Sequence, residues 1–334
     1  MRPKVEFDLL EFKNNIIKIK TQTRDINFLF PVKCCNYPVV LDIVNDNGFG
    51  FDISNKNEFK IIEKYLKKQF VSVSGPLSYE LNDNNYDNLY IVSNNLSTFR
   101  EGNGIRVNFN SDCAFDYSRF GVDYNLLDKK IKNNIEYIHF HNSDHRDLKK
   151  CESIYDEIKA IIKEFPNLKK INIGGHLEDL SFKEGIEYLN NVRNIVPENI
   201  IMFAELGDFL FKNVGTLYCN VVDVRYDSKV QAVTLNFSKM ANQRWAYPKY
   251  ISNNSEKSNI KTIFYGCSCC KTDTYLETYS NLLQVGDTII FKNISPYSYQ
   301  WNTSFNGVDK MKYVFKNWYW GSKIYWILGK LWLL

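Results

Sequence analysis

Phe28-Leu29-Phe30-Pro31-Val32-Lys33-Cys34-Cys35-Asn36-Tyr37-Pro38 is an apolar run that ends on a lysine and then turns. Consecutive apolar residues fit a strand buried on both faces, as in a parallel sheet. Lys33 then sits where a barrel strand presents side chains to a site. Partial desolvation there would lower the pKa of its amine and free it for a Schiff base. Taken singly, Lys33 reads more readily as a snorkelling lysine at a strand end. Gly48-Phe49-Gly50-Phe51-Asp52-Ile53-Ser54 follows, with Glu58 beyond it.

Outward from this stretch, short apolar runs alternate with longer helical patterns. Strands are expected at 28–32, 49–53, 69–73, 89–92, 104–108, 137–141, 170–173 and 200–204. Helices are expected at 37–47, 56–67 and 149–165, the last long and amphipathic. Such alternation implies parallel pairing, and this many strands imply an α/β chain with a closed (β/α)8 TIM-like barrel over residues 28–215. After about residue 216 the texture changes. Runs at 217–225, 232–236, 262–265, 287–292 and 313–315 are rich in Val, Ile, Thr and aromatics, with turns between them. They predict an appended antiparallel β domain over 216–334, to which a leader, residues 1–27, contributes a strand at 4–9. The polar, Asn-rich stretches 79–88 and 252–259 read as surface loops.

Composition narrows the function classes. With 334 residues the chain can hold one barrel and a further module, and 44% hydrophobic and 15% aromatic residues can fill a sizeable core. Its 42 basic and 38 acidic residues leave +4, spread along the chain, so no nucleic-acid footprint stands out. Residues 1–8 lack an apolar signal core and no 18-residue apolar run occurs, which predicts no membrane partner and a cytoplasmic protein. The aromatic stretch 318–334 is broken by Gly321, Lys323, Gly329 and Lys330, and reads as a buried terminal element or subunit contact. Cys34, Cys35, Cys113, Cys151, Cys219, Cys267, Cys269 and Cys270 are too crowded for a secreted disulfide framework, which also favours a reduced cytoplasm. His139, His141 and His145 with Cys151 could be imagined as a zinc set. The HxH pair reads better as a strand end, and no metal is expected.

On a barrel the strand C-termini carry the chemistry. Lys33 follows the first strand and Asp52 the second. Arg106 lies in Gly104-Ile105-Arg106-Val107-Asn108, His141 ends His139-Phe140-His141, Gly174-Gly175 follows Ile171-Asn172-Ile173, and Glu205 ends Met202-Phe203-Ala204. Each has a structural alternative taken alone: an ion pair for Arg106 and Asp52, a turn for Gly174-Gly175, a helix N-cap for Glu205.

Taken in order, these segments resemble the fold-type III pyridoxal-phosphate (PLP) decarboxylases, the alanine-racemase-like group. That group includes the ornithine, diaminopimelate and carboxynorspermidine decarboxylases. The resemblance covers nearly the whole chain. Lys33 matches the Schiff-base lysine, and Gly50-Phe51-Asp52 with Glu58 matches a "GFD…S-x-x-E" motif in which Asn55 replaces the serine. Gly104–Asn108 matches "GLRIN", Ser118-Arg119-Phe120-Gly121 matches "S-K/R-F/L-G", and His141 matches the histidine that packs on the cofactor ring. Ile173-Gly174-Gly175 matches the phosphate-binding glycine loop, and Glu205-Leu206-Gly207 stands where "EPG" occurs. Gly266-Cys267-Ser268-Cys269-Cys270-Lys271-Thr272-Asp273 matches the catalytic-cysteine loop, and Tyr297 with Phe305-Asn306-Gly307 matches "AYT…FNG".

The departures point to the substrate. His176 replaces the third glycine, Leu206 the proline of "EPG", and Asp208 the arginine that often follows. Phosphate binding then rests on backbone N–H groups. The carboxynorspermidine branch also lacks that arginine, and Leu235-Asn236-Phe237-Ser238 with Tyr247-Pro248 loosely resembles its "LD-x-S…PY" segment. Cys270-Lys271-Thr272 lacks the acid that ornithine and diaminopimelate enzymes carry after the cysteine. A short dibasic amino acid would miss its counter-charge, which favours a larger substrate.

The resemblance implies that Lys33 anchors PLP and Glu205 pairs with its pyridine nitrogen. His141 stacks on the ring, Gly174, Gly175 and Tyr297 hold the phosphate, and Arg106 and Asp52 support the Lys33 side. It implies that Cys269 protonates the carbanionic carbon, that Cys270 and Asp273 meet the small-molecule amino-acid substrate, and that the enzyme is a homodimer with shared active sites. The expected reaction is decarboxylation of an amino acid with an extended, amine-containing side chain, a carboxynorspermidine or carboxyspermidine, in polyamine biosynthesis. A tailoring decarboxylase acting on an aminobutyrate-derived group of a peptide–nucleotide product is one alternative. A non-catalytic PLP-binding regulatory homologue is another.

Overall fold

A computed structural model describes the chain except residues 1, 67, 83–85, 109–118, 142–147, 149–150, 228, 246, 252–259 and 318–334. Cys113, Ser118, His145, the first residues of the 149–165 helix, the 252–259 loop and the aromatic stretch 318–334 therefore lie outside the described residues.

The chain forms two compact units, residues 16–210 and residues 1–15 with 211–334. Strand β1 (Lys4–Asp8) comes first, then helix α1 (Leu9–Gln22). Asp8 Oδ1 starts that helix by accepting from the N–H groups of Leu10 and Glu11, which have no partner inside the first turn. Leu9, Phe12, Ile16 and Ile19 are buried at helical spacing along it.

Eight strands then close a parallel barrel: β2 (Asn27–Pro31), β3 (Gly50–Ile53), β4 (Val71–Val73), β5 (Leu89–Ser93), β6 (Gly104–Arg106), β7 (Tyr137–His139), β8 (Lys170–Asn172) and β9 (Ile201–Glu205). Each falls where an apolar run stands in the sequence, because a parallel strand is covered on both faces. Helix α2 (Pro38–Asp46) places proline in its first turn and buries Val40, Leu41, Ile43 and Val44. Helix α3 (Lys56–Ile62) is capped by Asn55, whose side chain accepts from the N–H groups of Asn57 and Glu58. Asparagine caps as well as serine, so the replacement at Asn55 preserves the turn. Inside the barrel, Phe70 stacks on Phe203 at 4.0 Å and on Tyr90 at 4.3 Å. A polar layer sits among these rings: Ser72 Oγ lies 3.0 Å from Tyr137 Oη, which accepts from Asn172 Nδ2 at 3.4 Å.

The other unit is a mixed sheet built on β10 (Gly215–Asp227), β11 (Val230–Leu235), β12 (Lys249–Ile251), β13 (Ile260–Tyr265), β14 (Thr274–Ser280), β15 (Thr288–Lys292) and β16 (Lys312–Lys316). The strand order is β12-β15-β10-β11-β13-β14, and β1 joins β10 to β16. The expectation of an antiparallel domain is corrected here. β1 runs parallel to β16 and β11 runs parallel to β13. The N-terminal strand enters beside the C-terminal one, and β12 is diverted to β15, so β13 returns in the direction of β11. Phe264 and Tyr275 meet Phe291 edge-on in the core of this sheet, at 5.2 and 5.0 Å.

Candidate active site

The C-terminal ends of the barrel strands bring seven of the expected residues to one face: Lys33, Asp52, Arg106, His141, Gly174, Gly175 and Glu205. Lys33 lies in the turn directly after β2, and Asp52 pairs with Pro31 in the β2–β3 register. Lys33 Nζ lies 2.8 Å from Asp52 Oδ2, with the lysine side chain 40% exposed and the aspartate fully buried. Ser74 Oγ donates to the other oxygen, Oδ1, at 2.7 Å. Burial would lower the Lys33 pKa, but the carboxylates of Asp52 and Glu205 outweigh it and hold the group as an ammonium above its usual range. Burial pushes Asp52 up to about 7, helped by Glu205 and opposed by Lys33 and Ser74. Glu58 does not reach this pair through any described bond. Its Oε2 accepts from Ser54 N–H at 2.7 Å, closing the turn into α3.

Glu205 ends β9 and is 4% exposed. Its Oε1 meets His139 Nε2 at 3.0 Å and accepts from Asn172 Nδ2 at 2.9 Å. Burial disfavours its charge, yet the His139 hydrogen bond and the nearby cationic groups hold the carboxyl well below its usual range. His141 is half-buried, and desolvation drops its pKa to about 3, so its ring is neutral. His139, expected as a strand-end residue, does end β7 and also meets Glu205.

The glycine loop has room for nothing but glycine at its first two positions. Gly174 has φ +66°, and a Cβ there would lie 2.5 Å from the Phe140 carbonyl oxygen. A Cβ on Gly175 would lie 2.6 Å from the Glu205 carbonyl oxygen. The third position, His176, also has φ +66°, the left-handed region where glycine is at ease. Its Nδ1 lies 3.5 Å from Glu178 Oε2. Arg106 is partly exposed at the end of β6 and packs on Phe120, 4.7 Å from the ring centroid.

Cys269, Cys270, Asp273 and Tyr297 belong to the sheet unit. Cys269 is exposed and free, and its N–H donates to Asn306 Oδ1 at 2.8 Å. Cys270 is half-exposed. Tyr297 opens a short helix, Tyr297–Trp301, and meets Trp245 edge-on at 4.9 Å. The expected substrate contact by Asp273 does not fit. Asp273 is 1% exposed, and its carboxylate accepts from Ser268 N–H, Ser268 Oγ and Lys239 N–H at 3.2, 2.5 and 2.8 Å. It holds the cysteine loop in shape. Asn306 and Ser268 were not legible as loop supports, because their partners are set by folding and not by spacing. Among the described residues, no group of three or more metal-ligating side chains occurs. No helix among them is long and apolar enough to cross a membrane.

An aldehyde cofactor with a pyridine ring and a phosphate needs an amine, an acid at the ring nitrogen and a backbone cradle. The Lys33 amine, the buried Glu205 carboxylate and the close-packed Gly174-Gly175 loop supply those three chemistries on one barrel face. Residues 9–68 match the model of the pyridoxal-binding domain of the pyridoxal-dependent decarboxylases. The chain is thus similar to the fold-type III PLP-dependent decarboxylases. Ornithine decarboxylase 2 of Drosophila melanogaster is 24% identical over 330 residues, covering 84% of this chain and 83% of that protein. The carboxynorspermidine/carboxyspermidine decarboxylase of Campylobacter jejuni is 23% identical, covering 84% and 83%. In fold, the arginine decarboxylase of Paramecium bursaria Chlorella virus superposes with a TM-score of 0.78 at 16% identity, over 95% of this chain and 96% of that one. These similarities support a PLP-dependent carboxy-lyase acting on an amino acid or a polyamine precursor.

Proposed function

We propose that this decarboxylase removes the α-carboxylate of an amino acid with an extended, amine-bearing side chain, a carboxynorspermidine- or carboxyspermidine-like substrate. The observation that carries this reading is the burial of Asp273, whose oxygens are occupied by Lys239 and Ser268. With Asp273 withdrawn, the loop around Cys269 presents Cys270, Lys271 and Thr272. None of these is a counter-charge for the ammonium of a short dibasic amino acid. The carboxynorspermidine/carboxyspermidine relative supports the same class.

Bound PLP supplies the electron sink for the pair left behind as CO₂ departs. Lys33 Nζ would tether the cofactor, and Asp52, itself held by Ser74, orients that amine. Glu205, kept ionised, would hold a proton on the ring nitrogen. His141, kept neutral, offers a ring face without adding charge. Gly174, whose own N–H is bonded to Asn172 Oδ1, would shape the phosphate loop, and Gly175 would bring its backbone N–H to the phosphate, with Tyr297 as a further donor and Arg106 on the Lys33 side. The Cys269 thiol would deliver a proton to the substrate's α-carbon. We take the chain to act as a homodimer in which Cys269 serves the partner's site.

CO₂ release is measured against carboxynorspermidine, carboxyspermidine, ornithine, lysine, arginine and diaminopimelate. The carboxylated polyamines should give a kcat/KM at least tenfold above the others. A preference for ornithine or lysine would sink the substrate class. CO₂ release by Lys33→Ala equal to the wild type would sink the site.

A further inference from the structure

We propose that His139 and Asn172 are positioning residues that clamp Glu205 through one oxygen, and so hold its carboxylate for the cofactor's ring nitrogen. This rests on the reading of Glu205 as the ring-nitrogen partner. Three neighbouring strands build the clamp. His139 ends β7, Asn172 ends β8 and Glu205 ends β9, with His139 opposite Asn172 and Asn172 opposite Phe203 in the registers. Both donors, His139 Nε2 at 3.0 Å and Asn172 Nδ2 at 2.9 Å, reach the same atom, Oε1. No hydrogen bond within the described residues goes to Oε2.

The tautomer of His139 follows from its surroundings. Nδ1 is buried and has no hydrogen-bond partner. A proton there would be a stranded donor, which is the costlier way to leave a buried nitrogen. The proton therefore sits on Nε2 and points at Glu205. Burial also lowers the pKa of His139, so the ring donates without bringing a second positive charge. A charged partner would compete with a ring N–H for the carboxylate; a neutral one only orients it.

The clamp continues to the glycine loop. Asn172 Oδ1 accepts from Gly174 N–H at 2.9 Å, and Gly174 O accepts from Glu205 N–H at 2.8 Å. Asn172 thus fixes the acid through its amide nitrogen and the loop through its amide oxygen. Loss of either donor to Oε1 frees the carboxylate to rotate.

The test is PLP binding to the apoprotein, read as a dissociation constant and as the visible absorption of the loaded protein. His139→Leu and His139→Met keep bulk but have no N–H; His139→Gln keeps one; Asn172→Ala removes the other donor. A hydrogen bond to a buried charge is worth roughly 10- to 100-fold in an equilibrium constant. His139→Leu, His139→Met and Asn172→Ala should weaken PLP by that factor, with a shifted absorption maximum and wild-type far-UV spectra. His139→Gln should stay within about threefold of the wild type on the same scale. Wild-type binding by any folded variant lacking a donor overturns the clamp, as does a His139→Gln as weak as His139→Leu. Glu205→Gln separates the two levels: wild-type binding by it overturns the ring-nitrogen reading and the clamp together. Weak binding by Glu205→Gln beside wild-type binding by the His139 and Asn172 variants overturns the clamp alone.

Discussion

Lys33 Nζ stands 2.8 Å from Asp52 Oδ2, so the amine at the end of β2 is held as an ammonium by the carboxylate of the neighbouring strand. Lys33→Ala should therefore do more than remove a tether. Asp52 remains fully buried with only Ser74 to satisfy it, at a cost of roughly 1–3 kcal/mol. Chemical denaturation should show that loss, together with absence of the cofactor's visible band and of CO₂ release. Lys33→Ala/Asp52→Ala should recover most of the stability and none of the activity. A single variant as stable as the wild type would show that the pair does not hold the strand ends together.

Glu205 gives a pH signature. Its folded pKa lies below the ordinary value of 4.5, so its ionised form stabilises the fold. That contribution is complete above about pH 4.5 and fades as the pH falls below it, because the unfolded chain then binds the proton more readily. Urea midpoints for the wild type and Glu205→Gln should differ most near neutrality and converge toward pH 3. A gap that stays constant from pH 7 to pH 3 would contradict the depressed pKa.

At Gly175 an added methyl group meets the Glu205 carbonyl oxygen, a backbone atom, at 2.6 Å. Gly175→Ala should cost roughly 1–3 kcal/mol and weaken PLP binding, since β9 must move to make room. A wild-type melting temperature would show that the loop yields more easily than its packing implies.

His176 carries the opposite expectation. A side chain at φ +66° is strained by about 1–2 kcal/mol, and glycine returns about 0.4–1 kcal/mol of that through the freer unfolded chain. His176→Gly should therefore raise the melting temperature slightly and leave PLP bound. A fall would mean that the contacts of the imidazole with Glu178 and Asp179 outweigh the strain.

If the active sites are shared, Lys33→Ala and Cys269→Ala complement each other. Mixing the two inactive proteins under conditions of subunit exchange should restore part of the CO₂ release. Cys269→Ala alone should keep its visible band while amine formation slows or is diverted. Strict inactivity of the mixture, with exchange demonstrated by sizing labelled subunits, would place both residues in one subunit's site.

The barrel was legible because its strands are short apolar runs: residues 28–32 became Asn27–Pro31 and 200–204 became Ile201–Glu205. The run at 137–141 stops as a strand at His139, and Phe140 N–H makes the ladder bond beyond it, to Asn172 O of β8. Helix α1 went unread although Leu9, Phe12, Ile16 and Ile19 carry its period, because Lys and Asn fill the positions between them. β12 and β14 were missed for a different reason. One is three residues long, and the other carries exposed polar side chains along an edge. Parallel pairs within the sheet were illegible, because local alternation does not say which distant strand lies alongside. The same limit applies at the site. Strand ends announced Lys33, His141 and Glu205 one by one, but the facing of His139 and Asn172 toward Glu205 depends on which strands are neighbours.

Because Glu205 and Gly174 are bonded to one asparagine, the separation between the acid and the glycine loop is set by strand register and not by flexible side chains. β8 and β9 pair Asn172 with Phe203. A slip of two residues would shift that separation by one pleat, about 6.7 Å, and a slip of one would turn Glu205 out of the barrel. The barrel thus acts as a gauge graduated in peptide units, in which the pairing of β8 with β9 sets where the acid stands relative to the glycine loop.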